Sequence, residues 1–164
     1  MVTLTLLASL NLSGQDSQKP NSLKIHNLSK LIVKASVNGK NGFFLIDTGS
    51  SISLLNSSVL KKYKLEENPF DHRKAIGFNG SRMIIKKVSN GNVVLGETFS
   101  HDDFYSMDLS RIADAIFAET GIKIVGIIGA DLLIKYKGII DYNQRYLTLI
   151  EKKSKNKTAI DIIE

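Results

Sequence analysis

The run Phe43-Phe44-Leu45-Ile46-Asp47-Thr48-Gly49-Ser50-Ser51 sets a carboxylate at the end of four apolar residues, followed by a hydroxyl, a glycine and two more hydroxyls. Desolvating a lone aspartate at the end of a hydrophobic strand is costly. Such a residue needs a fold that holds it and a task that requires it. Asp47 is therefore the first candidate for chemistry in this chain. The other titratable residues offer less. His101-Asp102-Asp103 could bind a metal, but neighbours on a strand point to opposite faces and no further histidine has a ligand-like spacing, so no metal site and no cofactor is expected. His26 and His72 are lone histidines and read as surface residues, Asp131 as a helix-start residue and Asp141 as a hairpin residue. There is no cysteine, which excludes disulfides, zinc thiolate sites and thiol catalysis.

A second element stands well downstream. Ile127-Ile128-Gly129-Ala130-Asp131-Leu132-Leu133 reads as an apolar strand broken at a glycine and followed by a helix. Between the two lies a glycine-bearing hairpin, Gly77-Phe78-Asn79-Gly80-Ser81. The Asp-Thr-Gly-Ser run, this hairpin and the Ile127-Ile128-Gly129 strand, in that order, resemble the retropepsin-like (retroviral-type, single-domain) aspartyl proteases, in the manner of a bacterial member. The resemblance covers about Leu31 to Ile150. It implies a mainly β acid-protease fold, a closed β-barrel or sandwich with short helices, and hydrolysis of peptide bonds without a cofactor. Two carboxylates in hydrogen-bond contact cannot both ionise cheaply, so they share one proton. The ionised member takes a proton from a water that attacks the peptide carbonyl, and the protonated member donates to the carbonyl oxygen. The chain has a single Asp-Thr-Gly triplet in 164 residues. The resemblance therefore implies a homodimer with one Asp47 from each copy on a two-fold axis.

By the same resemblance, Thr48 bonds across the axis to the partner loop, and Gly49 lets the backbone approach the carboxylates where a Cβ would intrude. Ser50 bonds the outer carboxylate oxygen. Gly77, Phe78, Asn79 and Gly80 form the tip of a flap that closes over an extended peptide or protein substrate. Asn79-Gly80 is also a generic hairpin signal, so its flap role rests on the order of the parts. A rival from another class keeps the fold without the cleavage: a catalytically silent peptide-binding or dimerisation module.

The elements that position these residues can be read from pattern. Leu31 to Val37 is strand-like, Asn38-Gly39 supplies a tight hairpin turn, and Phe43 to Ile46 returns as a buried strand. Ile52 to Leu55 is a short strand, and Asn56-Ser57-Ser58 caps a brief helix through Tyr63. Arg82 to Val88 leaves the flap hairpin, Asn90-Gly91 turns the chain into Asn92 to Leu95, and Thr98 to Tyr105 continues the sheet. Leu109, Ile112, Ala113, Ile116 and Phe117 define one face of a helix closed by Gly121, with Asp108 or Ser110 at its start. Ile124 to Gly129 is a strand, Ala130 to Tyr136 a helix, and Ile139 to Ile150 a hairpin turning at Asn143-Gln144.

The totals frame this reading. The length suits one domain with a real core and is too short for a two-lobed protease carrying both aspartates. Hydrophobic content is 43% and no apolar run is long enough to span a bilayer, so no stable membrane insertion is expected. Twenty-two Lys and Arg against sixteen Asp and Glu give a formal charge of +6, much of it in Lys61, Lys62 and Lys64 and in Lys152, Lys153, Lys155 and Lys157. These clusters lack interleaved aromatics and read as solvated faces rather than a nucleic-acid site. Residues 1–22 read as a flexible arm or the remnant of an export signal, 23–150 as the protease domain and 151–164 as a charged tail. Met1 to Leu12 is uncharged and mostly apolar like a signal core, with small residues at Ala8-Ser9, but a basic leader and a clean cleavage site are missing. Both a cytoplasmic and an exported location stay open.

Overall fold

The computed structural model describes residues 21–77, 80–100 and 104–150. Strand β1 (Asn21–Asn27) buries Leu23 and Ile25 and exposes Lys24 and His26, the alternation of a half-covered strand. It begins before Leu23 because Asn21 is tied down. Its Nδ2 donates to the Leu95 carbonyl at 2.6 Å and its Oδ1 accepts from the Glu97 N–H at 2.8 Å. Strands β2 (Ile32–Val37) and β3 (Lys40–Ile46) form the expected hairpin, in register from Ile32↔Leu45 to Val37↔Lys40. Asn38 and Gly39, at φ 47 and 76, make its two-residue turn.

After β3 the chain loops into β4 (Leu54–Asn56) and a 3-10 helix, Ser57–Tyr63, where the Asn56 side chain accepts from the Ser58 N–H. The long hairpin β5 (Glu66–Ile76) and β6 (Arg82–Ser89) follows, then the short strands β7 (Val93–Leu95), β8 (Thr98–Ser100) and β9 (Tyr105–Met107). Helix α1 (Ser110–Thr120) leads to β10 (Ile124–Ile128), α2 (Ala130–Lys135) and the closing strands β11 (Ile139–Asp141) and β12 (Tyr146–Leu149). Among the described residues no helix is long and apolar enough to cross a membrane.

The hydrogen-bonded path runs β11-β12-β1-β2-β3-β10-β4-β9-β6-β5, with β7 on β2 and β8 on β7. The class is mainly β with short helices, as expected, but the sheet is open rather than closed into a barrel. Strands β5 and β11 end the path without pairing with each other, and β5 contains no buried residue, its apolar Phe70 and Ile76 standing exposed. Strand β10 sits near the middle and is buried throughout. Ile128 packs in the main core with Val33, Phe44, Leu132 and Leu147, whereas Ile127, its neighbour on the opposite face, packs with Leu54, Ile85, Tyr105 and Leu109.

Helix α1 corrects the expected apolar face. Leu109, Ala113 and Ile116 are buried, but Ile112 is 42% exposed and Phe117 51% exposed. The helix meets the body along the narrow i, i+4, i+7 seam, and the flanking positions stay outside. Leu109 occupies the cap position without a side-chain bond, and Asp108 Oδ1 accepts from the Ser110 N–H at 2.9 Å instead. A bond from the Ser110 side chain, and after it this backbone bond, hold the Asp108 carboxyl below the usual aspartate range.

Candidate active site

Asp47 is the first residue beyond β3, and β3 lies parallel to β10 with Leu45↔Ile127 and Ile46↔Ile128 as partners. The ladder continues one step further, because the Asp47 N–H donates to the Ile128 carbonyl at 3.0 Å. The chain then turns tightly. The Ser50 N–H donates to the Asp47 carbonyl at 3.1 Å, and the Gly49 N–H donates to Asp47 Oδ1 at 2.9 Å. A Cβ on Gly49 would stand 3.2 Å from that carboxylate oxygen, a tight contact with Asp47 of the same chain. Asp47 is half-buried, and among the described residues no lysine or arginine forms an ion pair with it.

The loop is laced to the second motif. The Ala130 N–H donates to the Ser50 carbonyl at 2.8 Å, and the Gly129 N–H donates to Ser53 Oγ at 2.9 Å. Gly129 has to be small, since a Cβ there would come within 2.6 Å of the Ile52 backbone. Gly126, further up β10, is hemmed in by the Leu54 carbonyl and the Phe44 ring. Asp47, Thr48, Gly49 and Ser50 are thus brought together with Ile127, Ile128 and Gly129.

One side chain differs from the expectation, and another does more than was expected of it. Ser50 Oγ donates to the Ile52 carbonyl at 2.7 Å, so its one proton is committed to the loop backbone rather than to the Asp47 carboxylate. Asp131, at the start of α2 as expected, also reaches back to the loop. Its Oδ2 accepts from the Ser53 N–H at 2.9 Å and its Oδ1 from Ser53 Oγ at 2.7 Å. Ser53 was not singled out from the sequence. The available signal was a hydroxyl inside the apolar run Ile52-Ser53-Leu54-Leu55, which once buried needs a partner.

Thr48 is exposed and lies on the rim of a cleft of about 440 Å³, shared with Ala130, Leu133, Ile134, Lys137 and Ile140. At the hairpin tip the Gly77 N–H donates to the Ser81 carbonyl and the Gly80 N–H to the Gly77 carbonyl, both at 2.8 Å. Gly80 has φ +77, a conformation that favours glycine. Phe78 and Asn79 lie outside the described residues, as do His101, Asp102 and Asp103. At the hairpin root, Glu67 accepts from Lys86 Nζ at 2.7 Å and from Ser106 Oγ at 2.6 Å. The Lys86 bond, and after it the Ser106 bond, hold this carboxyl below the usual glutamate range. His26 and His72 are exposed, and Asp141 Oδ1 accepts from the Gln144 N–H within the last hairpin.

A family model described as aspartyl protease matches residues 33–132, more than half of the chain. No curated protein matches it. Among solved structures it is similar to a retropepsin-like aspartic protease from Rickettsia conorii, at 18% identity and a TM-score of 0.48, covering 78% of this chain and 87% of that one. It is also similar to the EIAV protease complexed with an inhibitor, at 16% identity and a TM-score of 0.46 over 64% of this chain and 86% of that one. A third is the retroviral protease-like domain of Ddi1 from Leishmania major, at 16% identity and a TM-score of 0.46 over 76% and 98%. The Asp-Thr-Gly loop and the Ile-Ile-Gly strand both fall within the matched span, and the chain belongs to the aspartyl protease family.

Proposed function

We propose that the protein is an aspartic endopeptidase that acts as a homodimer, with Asp47 of each copy supplying half of the catalytic dyad. The observation that supports this most directly is the state of Asp47. It is a half-buried carboxylate without a cationic partner among the described residues, on a loop bonded at several points to the β10–α2 junction. A structural aspartate at such a place would use its oxygens on its surroundings. Among the bonds described here, Asp47 uses one oxygen on the Gly49 N–H.

In the dimer the two carboxylates share a proton, because bringing two like charges into contact makes double ionisation costly. The ionised aspartate removes a proton from a water, the resulting hydroxide equivalent attacks the peptide carbonyl, and the protonated aspartate donates its proton to the carbonyl oxygen. The resulting gem-diol collapses as the leaving nitrogen takes a proton from the dyad. Thr48 joins the two loops across the axis. The Ile127-Ile128-Gly129 strand backs each loop, and Gly77, Phe78, Asn79 and Gly80 close over an extended peptide.

Asp47→Asn tests the reading. Removing an acid–base group is expected to lower cleavage of an unfolded protein on the order of 10²–10⁴-fold, with the sedimentation of the dimer unchanged. A folded Asp47→Asn variant that cleaves at the wild-type rate overturns the assignment.

A further inference from the structure

We infer that Ser53 and Asp131 are the positioning pair of the active-site loop, holding Asp47 where its carboxylate can meet its twin. The inference rests on the protease reading and deepens it. The loop has three ties to the β10–α2 junction. Two are backbone to backbone, Asp47 N–H to Ile128 and Ala130 N–H to the Ser50 carbonyl. The third is made by side chains. Ser53, only 2% exposed, donates its hydroxyl to Asp131 Oδ1 at 2.7 Å and accepts from the Gly129 N–H at 2.9 Å, while its own N–H reaches Asp131 Oδ2 at 2.9 Å.

Every polar atom in this knot has a defined direction. The serine hydroxyl has one proton, given to Asp131, and a lone pair, given to Gly129. The carboxylate offers an acceptor to each of the two Ser53 donors. An asparagine could accept only one of them with its single oxygen and would turn its own N–H₂ toward the other. Neither Ser53 nor Asp131 bonds the Asp47 carboxylate, so neither is a catalytic residue. Their effect runs through the backbone. Without them two buried N–H groups, of Ser53 and Gly129, lose their acceptors at a cost of roughly 1–3 kcal/mol each, and the loop must shift to recover them. A dyad is sensitive to such a shift, because misplacing a reacting group by about 1 Å costs on the order of 10²-fold in rate.

The test compares Ser53→Ala, Ser53→Thr and Asp131→Asn with the wild type as assembled dimers, using an unfolded protein substrate and backbone amide hydrogen exchange. Ser53→Ala and Asp131→Asn are expected to lower kcat by about 10–100-fold with KM little changed. Ser53→Thr, which keeps the hydroxyl, is expected to retain most of the rate. Exchange should quicken at residues 47–50 and at Gly129 while β1 and β2 stay protected. If Ser53→Ala does not fold, Asp131→Asn carries the same comparison.

Unchanged kcat in the folded variants, or a loss that Ser53→Thr shares in full while exchange at the loop is unaltered, overturns the positioning role. If wild type and Asp47→Asn turn out equally inert, the protease reading has failed instead. The exchange arm then decides alone whether this pair holds the loop: local quickening supports it and its absence refutes it.

Discussion

Gly129 has no functional group, yet it decides how close the two halves of the site can come. A methyl there would meet the Ile52 backbone at 2.6 Å and the Ser50 carbonyl at 2.9 Å. These are backbone atoms and cannot swing aside as a side-chain tip would. Gly129→Ala is therefore expected to destabilise the fold by about 1–3 kcal/mol, the range for inserting a methyl into a packed site, measured by denaturant unfolding. Cleavage should fall with it, because the loop that moves is the one bearing Asp47. Asp47 and Gly129 were both legible in the sequence, the first as a carboxylate closing an apolar run and the second as the break in one. Ser53 was not, because nothing in a strand-like pattern says which distant carboxylate will receive a buried hydroxyl. The committed proton of Ser50 was equally hidden, since which acceptor lies within reach of its hydroxyl, the Ile52 carbonyl or the carboxylate, depends on the fold of the loop.

The β5–β6 hairpin ends the sheet with a strand that contains no buried residue, and its root is electrostatic. Glu67 on β5 accepts from Lys86 on β6 and from Ser106 on β9, joining three strands through one carboxylate. The folded state holds Glu67 below its ordinary value of 4.5, chiefly through the Lys86 bond. The sign follows from linkage: the carboxylate's contribution is fully present above that ordinary value and is lost as pH falls through the lower folded value. Wild type is therefore expected to exceed Glu67→Gln in stability at neutral pH, with the difference shrinking below about pH 4.5. Denaturant unfolding at pH 7 and at pH 3 checks this, and a gap that persists unchanged in acid counts against it. Hairpins whose turns carry Asn-Gly or glycine, such as Val37 to Lys40, were readable because turn geometry is local. The narrow contact of α1 and the open sheet were not, since both depend on what packs against an element rather than on its own periodicity.

At the scale of the whole molecule, a single chain presents one Asp-Thr-Gly loop beside an apolar cleft, with Thr48 at the rim and Ile134, 77% exposed, in its wall. In the proposed dimer this is the face that meets its copy. Ile134→Arg should then place a charge where apolar surface is covered, shifting sedimentation toward the monomer and lowering cleavage most at low protein concentration. A dimer of unaltered strength would move the interface elsewhere. The parallel pairing of β3 with β10 has a further consequence, this time for how the molecule comes into being. Ser53 and Asp131 stand 78 positions apart, and the flap hairpin, four further strands and α1 lie between β3 and β10. Closing so long an intervening stretch is slow compared with forming local hairpins. A chain emerging from the ribosome can fold β2 and β3 early, but it carries an unbacked aspartate loop until the Ile-Ile-Gly strand arrives, with only α2, β11 and β12 still to follow.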